Sequence, residues 1–449
     1  MSRLFGTDGV RGVANKELTV ELATKLGQVG AHVLTENSHH KPKILVGCDT
    51  RKSGDMLAMA LMAGICAAGA DAVYLGVVPT PAVAYLARQM KADAGVVISA
   101  SHNPSEFNGI KFFNGDGFKL SDELEDRMEE IIRNDLEEVA RPTGYGVGSL
   151  TYAFDAKEQY INFITSTVPL DLSGMKIVID CANGASFYTS PKALKRLGAD
   201  LIVLHDAPDG SNINKDCGST HLESLQREVV KSGAKVGLAF DGDADRLLAV
   251  DEKGQVVDGD QLMAICGLYM REKGQLKKDT IVATVMSNLG FYIMAEQQGL
   301  HIEQTAVGDR YVLECMREKD YSIGGEQSGH IIFLDENTTG DGLLSAMHLL
   351  DVMVHKNKPL SELASVVKVL PQVLVNAKVS NKNKYKYQED EEIQKAIAEL
   401  EAKFDGKGRV LIRPSGTEPL VRVMIEGQDQ EELNKEAAKL AEFIMERLN

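Results

Sequence analysis

Short β-branched apolar runs, each followed by a longer helical pattern, recur three times along the chain. In the first set KILVGCDTR (Lys43 to Arg51) reads as a strand, an apolar helix follows, and GADAVYLG is a second strand. A third run, AGVVISA, then leads into SHNPSEFNG. In the second set MKIVIDCANG (Met175 to Gly184) precedes a helix and GADLIVLHDA, and KVGLAF leads into DGDADR. The third set runs from TIVATVMSN (Thr280 to Asn288) through a helix and GLHIEQTAVGDR to YSIGGEQSGH. Such strand–helix alternation predicts α/β units with at least partly parallel strands. The sets lie roughly a hundred residues apart or more, so they read as repeated domains rather than solenoid turns. Each third run ends in a Gly-, Ser- or Asp-rich loop. Ligands of open α/β sheets gather beyond the carboxyl ends of strands, so three equivalent domains would offer three loops to one shared cleft.

From about Val367 the pattern changes. VLVNAKV, GRVLIRPS and PLVRVMIEG read as strands, and EDEEIQKAIAELEAKF as a helix. A final helix carries Leu433, Ala437, Leu440, Ala441 and Ile444 on one face, with Asp429 and Glu432 as a capping pair at its start. The expected fold is α/β: three related α/β domains with mixed, partly parallel sheets, plus a smaller α+β C-terminal domain around one cleft. The expected boundaries are 1–155, 156–255, 256–366 and 367–449.

Length and composition agree with this plan. The chain has 449 residues, too many for one core, with 44% hydrophobic and 25% charged residues. The opening MSRLFGTDGVRG has no apolar core, so no secretory leader is expected. The apolar stretch Met56 to Ala70 is too short to span a bilayer and reads as a buried helix. Six cysteines stand singly without zinc-ligand spacing, so reduced thiols in a cytoplasmic protein are expected. A net charge of −16 argues against a nucleic-acid partner, and no membrane partner is expected either. An anionic substrate would need a local concentration of Arg, Lys or metal. A homodimer is the expected assembly only because dimers are the commonest soluble one.

Four loops carry candidate chemistry. Ser99-Ala-Ser101-His102-Asn103-Pro104 sets a hydroxyl beside an imidazole, the pairing an activated nucleophile needs; a plain Ser/Asn turn stopped by Pro104 is the alternative. Asp241-Gly-Asp243-Ala-Asp245-Arg246 brings three carboxylates within reach of one hard cation. An EF-hand reading of the same spacing fails because Arg246 stands where that loop needs glycine, and KVGLAF precedes it as a strand. A solvated acidic turn without metal stays open. In Gly324-Gly-Glu326-Gln-Ser328-Gly-His330, short polar side chains on a Gly-rich loop suit sugar hydroxyls, though an ordinary turn reads almost as well. In Arg413-Pro-Ser415-Gly416-Thr417-Glu418-Pro419, with Arg422 beyond, hydroxyls and two guanidinium forks suit phosphate; a hairpin turn is the alternative and does not exclude it.

In this order and spacing the four loops resemble the α-D-phosphohexomutase superfamily, and the resemblance covers essentially the whole chain. It implies that Ser101 is the phosphorylated nucleophile and that Asp241, Asp243 and Asp245 hold Mg²⁺ together with a phosphoryl oxygen on Ser101. It implies that Glu326 and Ser328 hold sugar hydroxyls, and that Arg413, Ser415, Gly416, Thr417 and Arg422 form the site for the non-reacting phosphate. Arg246 is implied to help neutralise phosphate, and Arg11, Lys111, His102 and His330 to assist proton transfer or charge neutralisation. A phosphosugar substrate and a hexose 1,6-bisphosphate, as primer and intermediate, follow from the same resemblance. FGTDGVRG and GEQSGH resemble the phosphoglucosamine mutase branch, which implies a glucosamine phosphate on the route to amino-sugar nucleotides for the cell wall. The rivals are a glucose or mannose phosphate mutase, a metal-dependent sugar phosphatase and a non-enzymatic sugar-phosphate or calcium binder.

Overall fold

The computed structural model describes residues 3–6, 8–36, 38–404, 406–415 and 418–449. It divides into two compact units: Met1–Met286 with Leu300–Val366, and Ser287–Gly299 with Val367–Asn449.

Among the described residues of the larger unit, the strands form three sheets with one shared plan. In the first, Asp71–Val77, Lys43–Cys48 and Ala94–Ile98 run parallel in that order, and Phe107–Asn114 returns antiparallel beside Ala94–Ile98. Val10–Val13 and Leu150–Tyr152 close the two edges. In the second, Asp200–Leu204, Lys176–Asp180 and Val236–Phe240 are parallel, and Leu247–Asp251 returns antiparallel. The third repeats this with His301–Thr305, Thr280–Thr284, Ile323–Gly325 and the returning Ile331–Phe333. The Ser101, Asp241 and Glu326 loops therefore occupy the same place three times, between the third parallel strand and its antiparallel return. The chain is α/β, with three related domains and mixed sheets.

Burial explains the sequence pattern. Strands covered by helices on both faces read as unbroken apolar runs: Ala94–Ile98, Val236–Phe240 and Thr280–Thr284 are buried at every position. In the first domain the helix Val20–Thr35, capped by Thr19 at Leu22, crosses the apolar helix Ser53–Ala67 at backbone contact. A Cβ on Gly27 would sit 2.1 Å from the Leu61 carbonyl oxygen, and one on Gly64 would sit 2.1 Å from that of Thr24. Small residues in MLAMALMAGICAAGA thus serve close helix packing, and no described helix is long and apolar enough to cross a membrane. All six cysteines are unpaired.

In the smaller unit Gln372–Lys378, Leu420–Glu426 and Arg409–Pro414 form an antiparallel sheet with the middle strand as named. The helices Glu391–Phe404 and Gln430–Leu448 pack on it through Ile393, Leu400, Leu433, Ala437, Leu440 and Ile444. Asp429 caps the last helix by accepting from the N–H groups of both Glu431 and Glu432.

Candidate active site

The three equivalent loops of the larger unit bring most of the chemistry to one cavity of about 440 Å³, lined among others by Arg11, Ser101, His102, Asp245, Arg246, Glu326 and His330. Ser101 is 2% exposed, and its hydroxyl donates to Asp241 Oδ2 at 2.6 Å. His102 Nδ1 lies 3.4 Å from Ser101 Oγ and 3.3 Å from Arg246 Nη1. Burial, followed by the positive charges of Arg246 and Arg11, lowers the His102 pKa to about 4. The imidazole is therefore neutral at physiological pH in this state, and Nδ1 serves as an acceptor beside the serine.

The acidic loop is buried almost completely. One carboxylate oxygen from each of Asp241, Asp243 and Asp245 lies within 4.8 Å of the others. Burial and the charges of Asp245 and Asp243 push the Asp241 pKa far up. Asp243 Oδ2 accepts from Thr80 Oγ1 at 2.7 Å and from Lys111 Nζ at 2.8 Å. Its Oδ1, like Oδ1 of Asp245, is buried without a hydrogen-bond partner. Orphan buried carboxylate oxygens are costly, and a hard divalent cation is the partner that carboxylate donors suit. The residues present fit such an ion. A solvated acidic turn does not describe this loop.

Lys111 is a buried counter-charge beside this loop, in salt-bridge contact with Asp243. Burial opposes its charge, but Asp243 and Asp8, the latter at 2.9 Å, outweigh that and raise its pKa. Of the two roles expected for Lys111, charge neutralisation fits this setting. His330 lies 3.5 Å from Asp245 Oδ2 through Nδ1, and its Nε2 accepts from the Gly340 N–H at 3.1 Å. Asp309 Oδ2 lies 3.4 Å from the same Nε2, and against the cost of burial the charges of Asp245 and Asp309 raise the His330 pKa, so the ring stands between two carboxylates on the cavity wall. Arg246 donates its main-chain N–H to Asp241 Oδ1 at 3.2 Å. Arg11 pairs with Asp8 at 2.5 Å.

Glu326 faces the cavity and accepts from the Gly308 N–H at 3.2 Å, whereas Ser328 is exposed and outside the cavity lining. Sequence reasoning passed over Asp8, Lys119 and Asp309. Lys119 bridges Asp8 and Asp309 at 2.5 Å each, on the wall of the same cavity. Asp8 and Asp309 stood in the quoted FGTDGVRG and GLHIEQTAVGDR segments, but neither segment, nor the surroundings of Lys119, signals a charge chain.

The smaller unit carries the fourth loop. Arg413 and Arg422 are direct cross-strand partners. Like charges placed opposite one another are destabilising until an anion neutralises them. Of the two, only Arg422 has a carboxylate partner among the described residues, Glu418 at 3.4 Å. Burial, and then Arg422, lowers the Arg413 pKa. Ser415 Oγ accepts from the Glu418 N–H at 3.1 Å, so this hydroxyl also shapes the turn. Gly416 and Thr417 lie outside the described residues.

Family models then match along the whole chain. Phosphoglucomutase/phosphomannomutase α/β/α domain I covers residues 2–139, domain II 158–254, domain III 258–370 and the C-terminal domain 374–443. The chain belongs to the phosphoglucomutase/phosphomannomutase family. Within that family it is 62% identical over 449 residues to a phosphoglucosamine mutase of Ruminiclostridium cellulolyticum, covering 100% of both chains. It is 62% identical over 448 residues to one from Acetivibrio thermocellus, again at 100% coverage of both. A solved family structure from Burkholderia thailandensis superposes with a TM-score of 0.79 at 25% identity, over 98% of each chain.

Proposed function

We propose that this chain interconverts glucosamine 6-phosphate and glucosamine 1-phosphate through a phosphoserine at Ser101. It is an isomerase, an intramolecular phosphotransferase of the phosphohexomutase superfamily. The sugar assignment is carried by the full-length 62% identity to phosphoglucosamine mutases. The phosphoserine chemistry is supported by the buried Ser101 hydroxyl 2.6 Å from an acidic loop with two orphan oxygens.

Phosphoryl transfer needs positioning and charge neutralisation more than covalent assistance. Phospho-Ser101 passes its phosphoryl group to O1 of glucosamine 6-phosphate; the P–O bond to serine breaks, and Ser101 recovers a proton as the hydroxyl forms. The resulting 1,6-bisphosphate turns over and returns the phosphoryl group to Ser101: the O6–P bond breaks, Ser101 gives up its hydroxyl proton and O6 gains one, which leaves glucosamine 1-phosphate. Mg²⁺ held by Asp241, Asp243 and Asp245 would neutralise charge on the transferring group. Lys111 and Arg246 supply fixed positive charge beside that loop, and Glu326 accepts hydrogen bonds from sugar hydroxyls. Arg413 and Arg422 bind the phosphate that is not reacting. A hexose 1,6-bisphosphate primes an unphosphorylated chain, and the enzyme works in the cytoplasm on a free phosphosugar.

The test is isomer formation from glucosamine 6-phosphate, glucose 6-phosphate and mannose 6-phosphate in parallel, with Mg²⁺ and glucose 1,6-bisphosphate. A preference for glucosamine 6-phosphate is expected. Preference for a neutral hexose would keep the chemistry and replace the substrate, whereas phosphate release without isomer would make the chain a phosphatase.

A further inference from the structure

One buried guanidinium holds the Ser101 loop from behind. Arg51 follows the strand Lys43–Cys48; its side chain is 0% exposed, and its Nε donates to the equally buried Asp49 at 2.9 Å. The other four N–H bonds go to main-chain carbonyls of the loop. Nη1 donates to Pro104 and to Phe107, the latter at 3.1 Å, and Nη2 to Ser101 at 2.9 Å and Asn103 at 2.8 Å. All five donors of the guanidinium are thus used.

Asn214, from the second domain, donates its Nδ2 to the same two carbonyls, Ser101 at 2.8 Å and Asn103 at 3.1 Å. The Ser101 N–H donates to Ser99 Oγ at 2.9 Å, and that hydroxyl donates to Asp49 Oδ2 at 2.6 Å. Gly242 of the acidic loop closes the arrangement. A Cβ there would lie 2.5 Å from the Ser101 carbonyl oxygen and 2.8 Å from Asn214 Nδ2. The Ser101 carbonyl is therefore where the clamp of the first domain, the amide of the second and the backbone of the acidic loop meet.

Ser101 has φ of +52°. A serine held in the left-handed region forgoes its preferred backbone conformation, so its surroundings must impose the geometry. In that geometry the hydroxyl faces Asp241.

We propose that Arg51 and Asn214 are positioning residues that lock the Ser101 backbone left-handed and aim its hydroxyl into the acidic loop before any substrate arrives. The proposal rests on Ser101 being the nucleophile. A planar fork is essential to it, because a lysine ammonium offers three donors on a flexible stem and cannot reach four spread carbonyls. Asn214 is itself left-handed, with φ of +59°, a conformation that Asn and Asp tolerate better than other non-glycine residues.

The test compares Arg51→Lys and Asn214→Asp with Ser101→Ala in the full-length chain. Asp keeps the shape and backbone tolerance of Asn214 and turns the donor into an acceptor. For both clamp variants kcat with glucosamine 6-phosphate should fall by about 10²-fold, as for a reacting group misplaced by an ångström, while KM stays within about twofold. Phosphorylation of Ser101 by glucose 1,6-bisphosphate, followed by intact mass, should slow in parallel, with circular dichroism and Tm verifying the fold. If Arg51→Lys does not fold, Asn214→Asp decides. A folded Asn214→Asp with parental kcat and phosphorylation rate, beside an inactive Ser101→Ala, overturns the proposal alone. An active Ser101→Ala would overturn the nucleophile reading and the proposal with it.

Discussion

Two acidic groups stand at neighbouring strand ends of the second domain's sheet, and the protein finishes them differently. Asp180 ends the strand Lys176–Asp180; its Oδ1 accepts from the Ala182 N–H at 2.8 Å and its Oδ2 meets His205 Nδ1 at 2.9 Å, with Cys217 nearby. The Asp241 loop follows the parallel neighbour Val236–Phe240 and packs three carboxylates against Lys111 and Ser101. The first group also converges like a ligand set, yet its carboxylate is satisfied from within the chain. The second retains two oxygens with no hydrogen-bond partner, one of them 3.9 Å from Arg246 Nε. Neither burial nor an orphan oxygen by itself marks a metal site; three converging carboxylates that keep orphan oxygens suit one. The same contrast separates their histidines. The hydrogen bond that His205 donates to Asp180 raises the pKa of His205, while burial, Arg246 and Arg11 lower that of His102.

The sharpest break in this comparison is at the serine. Ser101→Ala should reduce mutase activity by about 10⁴-fold or more with the Tm unchanged, since a lost nucleophile is not replaced by its neighbours. Asp243→Asn should come next, costing about 10²-fold in activity and weakening divalent-metal binding measured by calorimetry without substrate. Asp180→Asn should leave activity within about twofold, because its group is structural. Calorimetry in which Asp180→Asn, and not Asp243→Asn, weakens Mg²⁺ binding would reverse the assignment of the two groups.

The histidines give the smallest effects, of opposite sign. His205 has a raised pKa, so the stability it contributes is present below its ordinary value of 6.5 and is lost as the pH rises through the folded value. His102 has its pKa lowered from 6.5 to about 4, so the fold disfavours its protonation and stability rises with pH across that interval. Urea unfolding of the unphosphorylated, metal-free chain should show His205→Gln losing more stability at pH 6 than at pH 8.5. His102→Gln should instead flatten the rise between about pH 4 and 6.5. Equal slopes in both variants would contradict the opposing shifts.

The repeat was legible because strand periodicity is local: KILVGC, KIVID and TIVAT each announce a buried parallel strand. The acidic loop was legible because its three acids are close in sequence. The clamp was not, although Arg51 and Ser99 stood in quoted segments, because its contacts join residues about fifty positions apart and act on carbonyls that every residue carries. Asp8, Lys119 and Asp309 escaped for the same reason, since a charge chain spread over two domains leaves no spacing to read. His330 was expected to assist proton transfer or charge neutralisation, and it stands on the cavity wall between Asp245 and Asp309. Ser328 was expected at the sugar, and its loop leaves it exposed outside the cavity lining.

The central claim is that the phosphoryl group passes through Ser101. Incubating the chain with radiolabelled glucose 1,6-bisphosphate and Mg²⁺, removing the sugar and mapping the label by peptide analysis tests it most directly. The account predicts label on the peptide containing Ser101, released as sugar bisphosphate when glucosamine 6-phosphate is added. Label that never enters the protein, or that leaves it only as inorganic phosphate, would contradict the account.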